Sequence, residues 1–238
     1  MKITIIQVGE TPVPMRGQFG RYPEQFHKMF RDTRLGFEFE TVRVLDGEAL
    51  PRPHALEAIL ITGSAMGVYD TPDWMDPLRA FIGASYAAKI PMLGVCFGHQ
   101  IMADALGGDV RKSDKGWSVG RHVYQVAQGH GFMSEAPGEV AIAASHQDQV
   151  IAPPPDAKVF LSSSFTPNAG LIYKNGAAIS VQPHPEFDLD FSSALVELRR
   201  NNPLTDTEVE LAKSTLDAPL DSADVAIWLG RFLKLSAQ

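Results

Sequence analysis

Apolar runs too short to be anything but strands take turns with helical segments through the first 108 residues, and each run stops at a sharp break. Residues 2–8 (KITIIQV), 37–45 (FEFETVRVL), the end of 55–64 (ALEAILITGS, halting at Gly63) and 90–96 (IPMLGVC) are short and largely apolar. Between them, residues 9–25 (GETPVPMRGQFGRYPEQ) begin as a long Pro- and Gly-rich loop and run into a helix reaching about Arg34. Leu78, Phe81, Ile82 and Tyr86 recur at helical spacing, with Asp73 placed to cap that helix. Residues 98–108 (GHQIMADALGG) form a helix stopped by Gly107-Gly108. Such alternation predicts an α/β fold, a mostly parallel central sheet with helices on both faces. Ligands of such sheets bind beyond the carboxyl ends of the strands, where Gly63 and Cys96 fall.

The stretch GVCFGHQ, residues 94–100, holds the only cysteine. Cys96 stands between a strand and a helix, with Gly94 and Gly98 two places to either side. A residue on so tight a corner is pressed against those neighbours, which therefore need to lack side chains. The helix N-terminus then faces the sulfur with free N–H groups and the positive end of its dipole, which suits a nucleophile. The Phe97 N–H is placed to bind an oxyanion. A buried structural cysteine is the plainer alternative.

A nucleophilic thiol needs a base. Of seven histidines, His184 is singled out by SVQPHPEF, residues 180–187. Pro183 and Pro185 each push the preceding residue out of the helical region, which predicts an extended segment through residue 186. Positions two apart then face one side, so His184 and Glu186 project together as base and orienter. The chain order Cys, His, Glu differs from the nucleophile, acid, base order of serine hydrolases with the same corner.

From residue 109 to about 182 the pattern changes to shorter strands: 120–127, 139–145, 158–163, 170–176 and 177–182. A helix is expected near Phe187, and TDTE (205–208) opens another with a capping box. Val225, Trp228, Leu229, Phe232 and Leu233 form an apolar stripe on a last helix, for packing on the sheet. Residues 1–238 are read as a single domain, with 191–238 a helical extension packed on it.

Net charge is −7, and the longest basic run is Arg199-Arg200, which argues against a nucleic-acid partner. A lone cysteine fits a reducing compartment. The apolar run at the N-terminus is too short for a signal peptide, and no stretch approaches the roughly 18 apolar residues of a membrane helix. The expectation is a cytoplasmic protein with no membrane partner. Phosphate-loop, dinucleotide and zinc-protease motifs are missing, so no metal and no cofactor is expected.

Four landmarks, in order, resemble the class I (triad) glutamine amidotransferases. GVCFGHQ looks like that family's nucleophile motif, VQPHPEF like its His-Pro-Glu motif, and LITGS like its oxyanion strand. SHQD, residues 145–148, resembles a Ser-His-Gly-Asp segment of glutaminase domains attached to GMP synthase. Gly63-Ser64-Ala65 stands where many members have Gly-Gly-Pro, and Gln147 stands where the segment has glycine. KGWSVG, residues 115–120, looks like a feature of stand-alone members; a hairpin turn with a core tryptophan is the equal alternative.

The resemblance implies that Cys96 attacks the side-chain amide of glutamine, with His184 oriented by Glu186. A γ-glutamyl thioester forms, ammonia leaves, and water releases glutamate. It implies backbone N–H groups of Phe97 and the Gly63-Ser64 turn as oxyanion hole, and Gln100, His146, Gln147 and Asp148 as substrate contacts. The expected partners are glutamine or a γ-glutamyl compound and a separate synthase subunit that accepts the ammonia. Two alternatives stand beside this: a γ-glutamyl peptide hydrolase using the same groups, and a non-catalytic regulatory or binding protein.

Overall fold

The computed structural model describes residues 1–237. β1 (Lys2–Gln7) is followed by a 3-10 turn (Val13–Met15), α1 (Arg16–Phe19), α2 (Tyr22–Asp32), β2 (Glu38–Arg43) and β3 (Ala58–Ile61). Then come α3 (Met75–Ala87), β4 (Met92–Val95), α4 (Phe97–Ala105), β5 (Asp109–Lys112), β6 (Ser118–Val126) and β7 (Glu139–His146). β8 (Asp148–Ala152), β9 (Ala157–Ser162), β10 (Gly170–Tyr173), β11 (Ala178–Val181), α5 (Leu189–Leu198), α6 (Asp206–Thr215) and α7 (Ser222–Ser236) complete the chain.

The main sheet has nine strands in the order β2-β1-β3-β4-β11-β10-β9-β6-β7. The first five pair in parallel and the rest antiparallel. The fold is thus α/β with a mixed, half-parallel sheet flanked by helices. β5 and β8 make a separate two-stranded antiparallel ribbon.

Side-chain alternation decides the two faces. Ile3, Ile5, Leu60 and Val95 join one cluster with Phe26 and Phe30 of α2 and Val225, Trp228, Leu229, Phe232 and Leu233 of α7. Ile6, Ile59, Ile61 and Met92 join another with Leu78, Phe81 and Ile82 of α3 and Ile101 of α4. All five residues of the C-terminal stripe are buried, as their spacing predicts. Each such large side chain contributes about 1.5–3 kcal/mol on burial.

Several boundaries differ from expectation. Asp73 does not cap α3: Trp74 holds the N-cap position and no side chain accepts there. Helix α5 starts after Asp188, whose carboxylate accepts from the Phe191 N–H at 2.8 Å. The capping box of α6 forms as read, Thr205 and Glu208 bonding reciprocally. Strands β5 and β8 carry mixed sequences, DVRK and DQVIA, without clean alternation, so pattern alone passes over them. Among the described residues no helix is long and apolar enough to cross a membrane.

One consequence of the topology reaches the site directly. β7 lies four places from β11 in the strand order, yet the His184 N–H donates to the Ala143 carbonyl of β7 at 2.8 Å. The antiparallel half therefore curls round until its edge strand meets the segment that leaves the parallel half.

Candidate active site

Three parallel neighbours, β3, β4 and β11, end side by side, and the candidate residues follow their carboxyl ends. Cys96 sits after β4 with φ 54° and ψ −103°. This is a left-handed backbone that an L-residue adopts only when its surroundings impose it, at a cost of order 1–3 kcal/mol. The Cys96 N–H donates to the Val181 carbonyl and its own carbonyl accepts from Gln100, which holds the corner in place. A Cβ at Gly94 would lie 2.4 Å from the Gly98 carbonyl oxygen, and one at Gly98 would lie 2.2 Å from the Ile61 carbonyl oxygen. Both glycines are sterically required, as the corner predicts.

Cys96 is 5% exposed, and its sulfur faces His184. A Cβ at Gly63 would stand 3.2 Å from His184 Cε1 and 3.7 Å from Cys96 Cβ, so the three residues share one small space. His184 Nδ1 lies 2.7 Å from Glu186 Oε1, with both side chains almost wholly buried. They meet by a turn, correcting the extended reading. After the bridge at His184, Pro185 and Glu186 form a tight turn closed by the Phe187 N–H on the His184 carbonyl. Proline suits the second position of such a turn. Burial pushes the imidazolium down in pKa, but Glu186 and the Cys96 sulfur outweigh burial and raise His184 to about 10.

Phe187 lies flat against the His184 ring, centroids 4.0 Å apart and planes 4° apart. Phe187 packs on Phe191 of α5, and Phe191 meets Phe19 of α1 edge-on at 5.3 Å.

The Gly63-Ser64 turn is anchored from behind. The Thr62 hydroxyl donates to the Gly63 carbonyl and accepts from the Val8 N–H. A Cβ at Gly9 would lie 2.1 Å from the Gly63 carbonyl oxygen. That oxygen thus faces the β1 loop, and the trans peptide turns the Ser64 N–H the opposite way. Phe97 opens α4; its ring is buried against Trp74, leaving its backbone N–H at the helix start.

A cleft of about 380 Å³ contains Ser64, Cys96, Gln100, His146, Gln147 and Asp148 in its lining. A wider concavity of about 560 Å³ lies beyond Glu186, lined by Met29, Leu220 and Ala226, but it does not reach Cys96. The smaller cleft is therefore the one that opens onto the thiol.

The sequence-derived contacts behave differently from one another. Gln100 Nε2 donates to the Asp148 carbonyl and to Gln182 Oε1, so its amide nitrogen is engaged within the protein. His146 is 3% exposed; burial drives its pKa down to about 3 and leaves the ring neutral. Its Nε2 has no protein partner. Burial holds the Asp148 carboxyl above its ordinary range, against the Tyr69 hydroxyl and the Lys112 charge.

Pattern reading missed Tyr69, Lys112 and Arg199, which line the cleft together with Trp117. Arg199 follows α5 and stacks over the Trp117 ring, 4.8 Å from its centroid. No short motif contains either residue in a recognisable role, although KGWSVG had drawn attention to Trp117. That tryptophan is half-buried and forms one wall of the cleft, so neither a turn nor a core role describes it fully.

Comparison with known proteins agrees with this picture. The family model for glutamine amidotransferase class-I matches residues 26–195. A γ-glutamyl peptidase of Arabidopsis thaliana is 28% identical over 209 residues, covering 84% of this chain and 82% of the relative. A glutamine-hydrolysing GMP synthase of Thermus thermophilus is 33% identical over 133 residues, covering 56% of this chain and 25% of that protein. In the crystal structure of a glutamine amidotransferase from Thermotoga maritima the same fold recurs, with TM-score 0.76 and 21% identity, covering 100% of this chain and 98% of that one. By the extent of the family match, and by the fold it shares, the chain belongs to the glutamine amidotransferase class-I family.

Proposed function

We propose that the chain hydrolyses a γ-glutamyl amide bond with Cys96 as nucleophile, His184 as proton carrier and Glu186 as orienter. The observation that carries the reading is the buried His184–Glu186 pair, 2.7 Å apart, facing a cysteine held in a left-handed corner. Sγ attacks the γ-carbonyl carbon, and the charge that develops on oxygen is met by the N–H groups of Phe97 and Ser64. The imidazole, cationic across neutral pH, gives its proton to the departing nitrogen as the C–N bond breaks. Water then attacks the thioester with His184 taking its proton, which releases glutamate and returns the sulfur as thiolate beside the imidazolium, the form that attacks in the next turnover.

With glutamine as substrate the product is ammonia, for use by a separate synthase; GMP synthase among the relatives supports this version. A specific observation favours a second version, hydrolysis of γ-glutamyl peptides. The match to the Arabidopsis peptidase runs along nearly the full length of both chains, whereas the match to GMP synthase covers a quarter of that protein.

The test is labelling by an electrophilic glutamine analogue at neutral pH, followed by peptide mass mapping. Modification confined to Cys96 and blocked by a γ-glutamyl substrate is expected. An unmodified thiol in the folded chain would favour a non-catalytic binding protein instead.

A further inference from the structure

The cleft carries two cations in different settings. Lys112 lies opposite Asp148 across the β5–β8 ribbon, and the charges bearing on Asp148 are those of Lys112 and Asp70. A cation and an anion side by side match the α-carboxylate and α-ammonium of a γ-glutamyl group. Asp70 is exposed and accepts from the Gly67 N–H.

Arg199 has no such counterpart. It forms no ion pair among the described residues. Its neighbour Arg200 meets three carboxylates, those of Glu197, Asp206 and Glu210, so acidic partners are at hand on this part of the surface and Arg199 is kept from them. Its guanidinium is held instead by stacking on Trp117 and by donating from Nη1 to the Ser145 hydroxyl. Burial disfavours its charge. A half-buried guanidinium, held over an indole ring and sharing a cleft with the thiol, lacks only an anion. It also lies beyond residue 195, where the family match ends.

We propose that Arg199 binds a carboxylate on the amine side of the scissile bond, so that the preferred substrate is a γ-glutamyl amino acid and not glutamine. This rests on the hydrolytic reading of Cys96 given above. In the reaction the amino acid leaves with its nitrogen protonated by His184 and its carboxylate on Arg199, and water converts the acyl-enzyme to glutamate. Glutamine, whose amine side is ammonia, has nothing for Arg199 to hold. A bidentate, charge-assisted contact of this kind discriminates by about 10- to 100-fold.

Two substrates that differ by one group separate the possibilities: γ-glutamylglycine and γ-glutamylglycinamide, compared by glutamate release from the full chain. The wild type is expected to favour the carboxylate form in kcat/KM by about 10- to 100-fold. Arg199→Met, which keeps an apolar stem over Trp117, should bring that ratio to near one. Arg199→Lys should restore part of it, which a merely structural role would not do. A wild-type ratio near one overturns the proposal and leaves hydrolysis standing. An unchanged ratio in Arg199→Met also overturns it, as does an equal loss on both substrates, which would place Arg199 on the α-carboxylate they share. Absence of turnover of both dipeptides and of glutamine by wild type removes the hydrolytic reading, and the subsite with it.

Discussion

The two halves of the main sheet do different work around one cleft. In the parallel half, backbone geometry places the candidate reacting groups: Gly63, Cys96 and His184 each follow the end of a strand, and β3, β4 and β11 are neighbours. In the antiparallel half, and in the ribbon and helix beside it, side chains line the wall: Trp117, Ser145, His146, Gln147, Asp148 and Arg199. On the proposed function, the difference implies that reaction and recognition can change separately. Damage to the parallel half should stop turnover of every γ-glutamyl substrate. Damage to the other half should change which substrate is preferred.

The largest expected break is Cys96→Ala, with kcat lowered by at least about 10⁴-fold for glutamine and γ-glutamyl dipeptides alike. Steady-state glutamate release checks it, and residual turnover dependent on substrate would move the nucleophile elsewhere.

Next comes Glu186→Gln, with an expected loss of about 10² to 10³ in kcat. His184 stands above its ordinary pKa, at about 10, largely because Glu186 faces it. Stability from the cationic pairing is therefore fully present below the ordinary imidazole pKa of about 6.5. It is lost as pH rises through about 10. With glutamine at 186, burial weighs more heavily and the imidazole should titrate at lower pH. NMR titration of that ring in both proteins measures the shift; equal titration would deny Glu186 its orienting role.

A smaller break in the same half is Gly9→Ala. The added methyl would lie 2.1 Å from the Gly63 carbonyl oxygen, so the turn has to move. We expect kcat to fall by about 10- to 100-fold, with the preference between γ-glutamylglycine and glutamine preserved. A changed preference at full kcat would erase the division between the halves.

The smallest effect belongs to the recognition side. Gln147→Gly should change KM by a few-fold, about 1 kcal/mol, with kcat nearly unchanged. Initial rates across substrate concentration separate the two.

How much of this could be read in the chain depended on which half was being read. Short apolar runs with parallel partners announced β1, β3 and β4, and the glycines about Cys96 announced the corner, because both patterns follow from local sterics. The pairing of His184 with Glu186 was also legible, although through the wrong intermediate: the prolines make a tight turn there, not an extended strand. Side chains that converge from distant elements left no such mark. Arg199 and Trp117 are 82 positions apart, and nothing short-range connects them. Ribbon strands β5 and β8 escaped for a related reason: polar residues stand on both faces, Lys112 and Asp148 toward the cleft and Gln149 buried, and so spoil the alternation. Helix α3 shows the limit of capping signals: Asp73 has the right chemistry, but the helix begins at Met75 and its cap position is Trp74.

The flat contact between Phe187 and His184 restricts more than position. An imidazole lying against a phenyl ring cannot rotate end over end without displacing it, so its two nitrogens keep their assignments. Because that phenyl is wedged in turn by Phe191 and Phe19, the lock extends outward to the short helix near the N-terminus. Anything that pries this helix loose would free the ring to tumble.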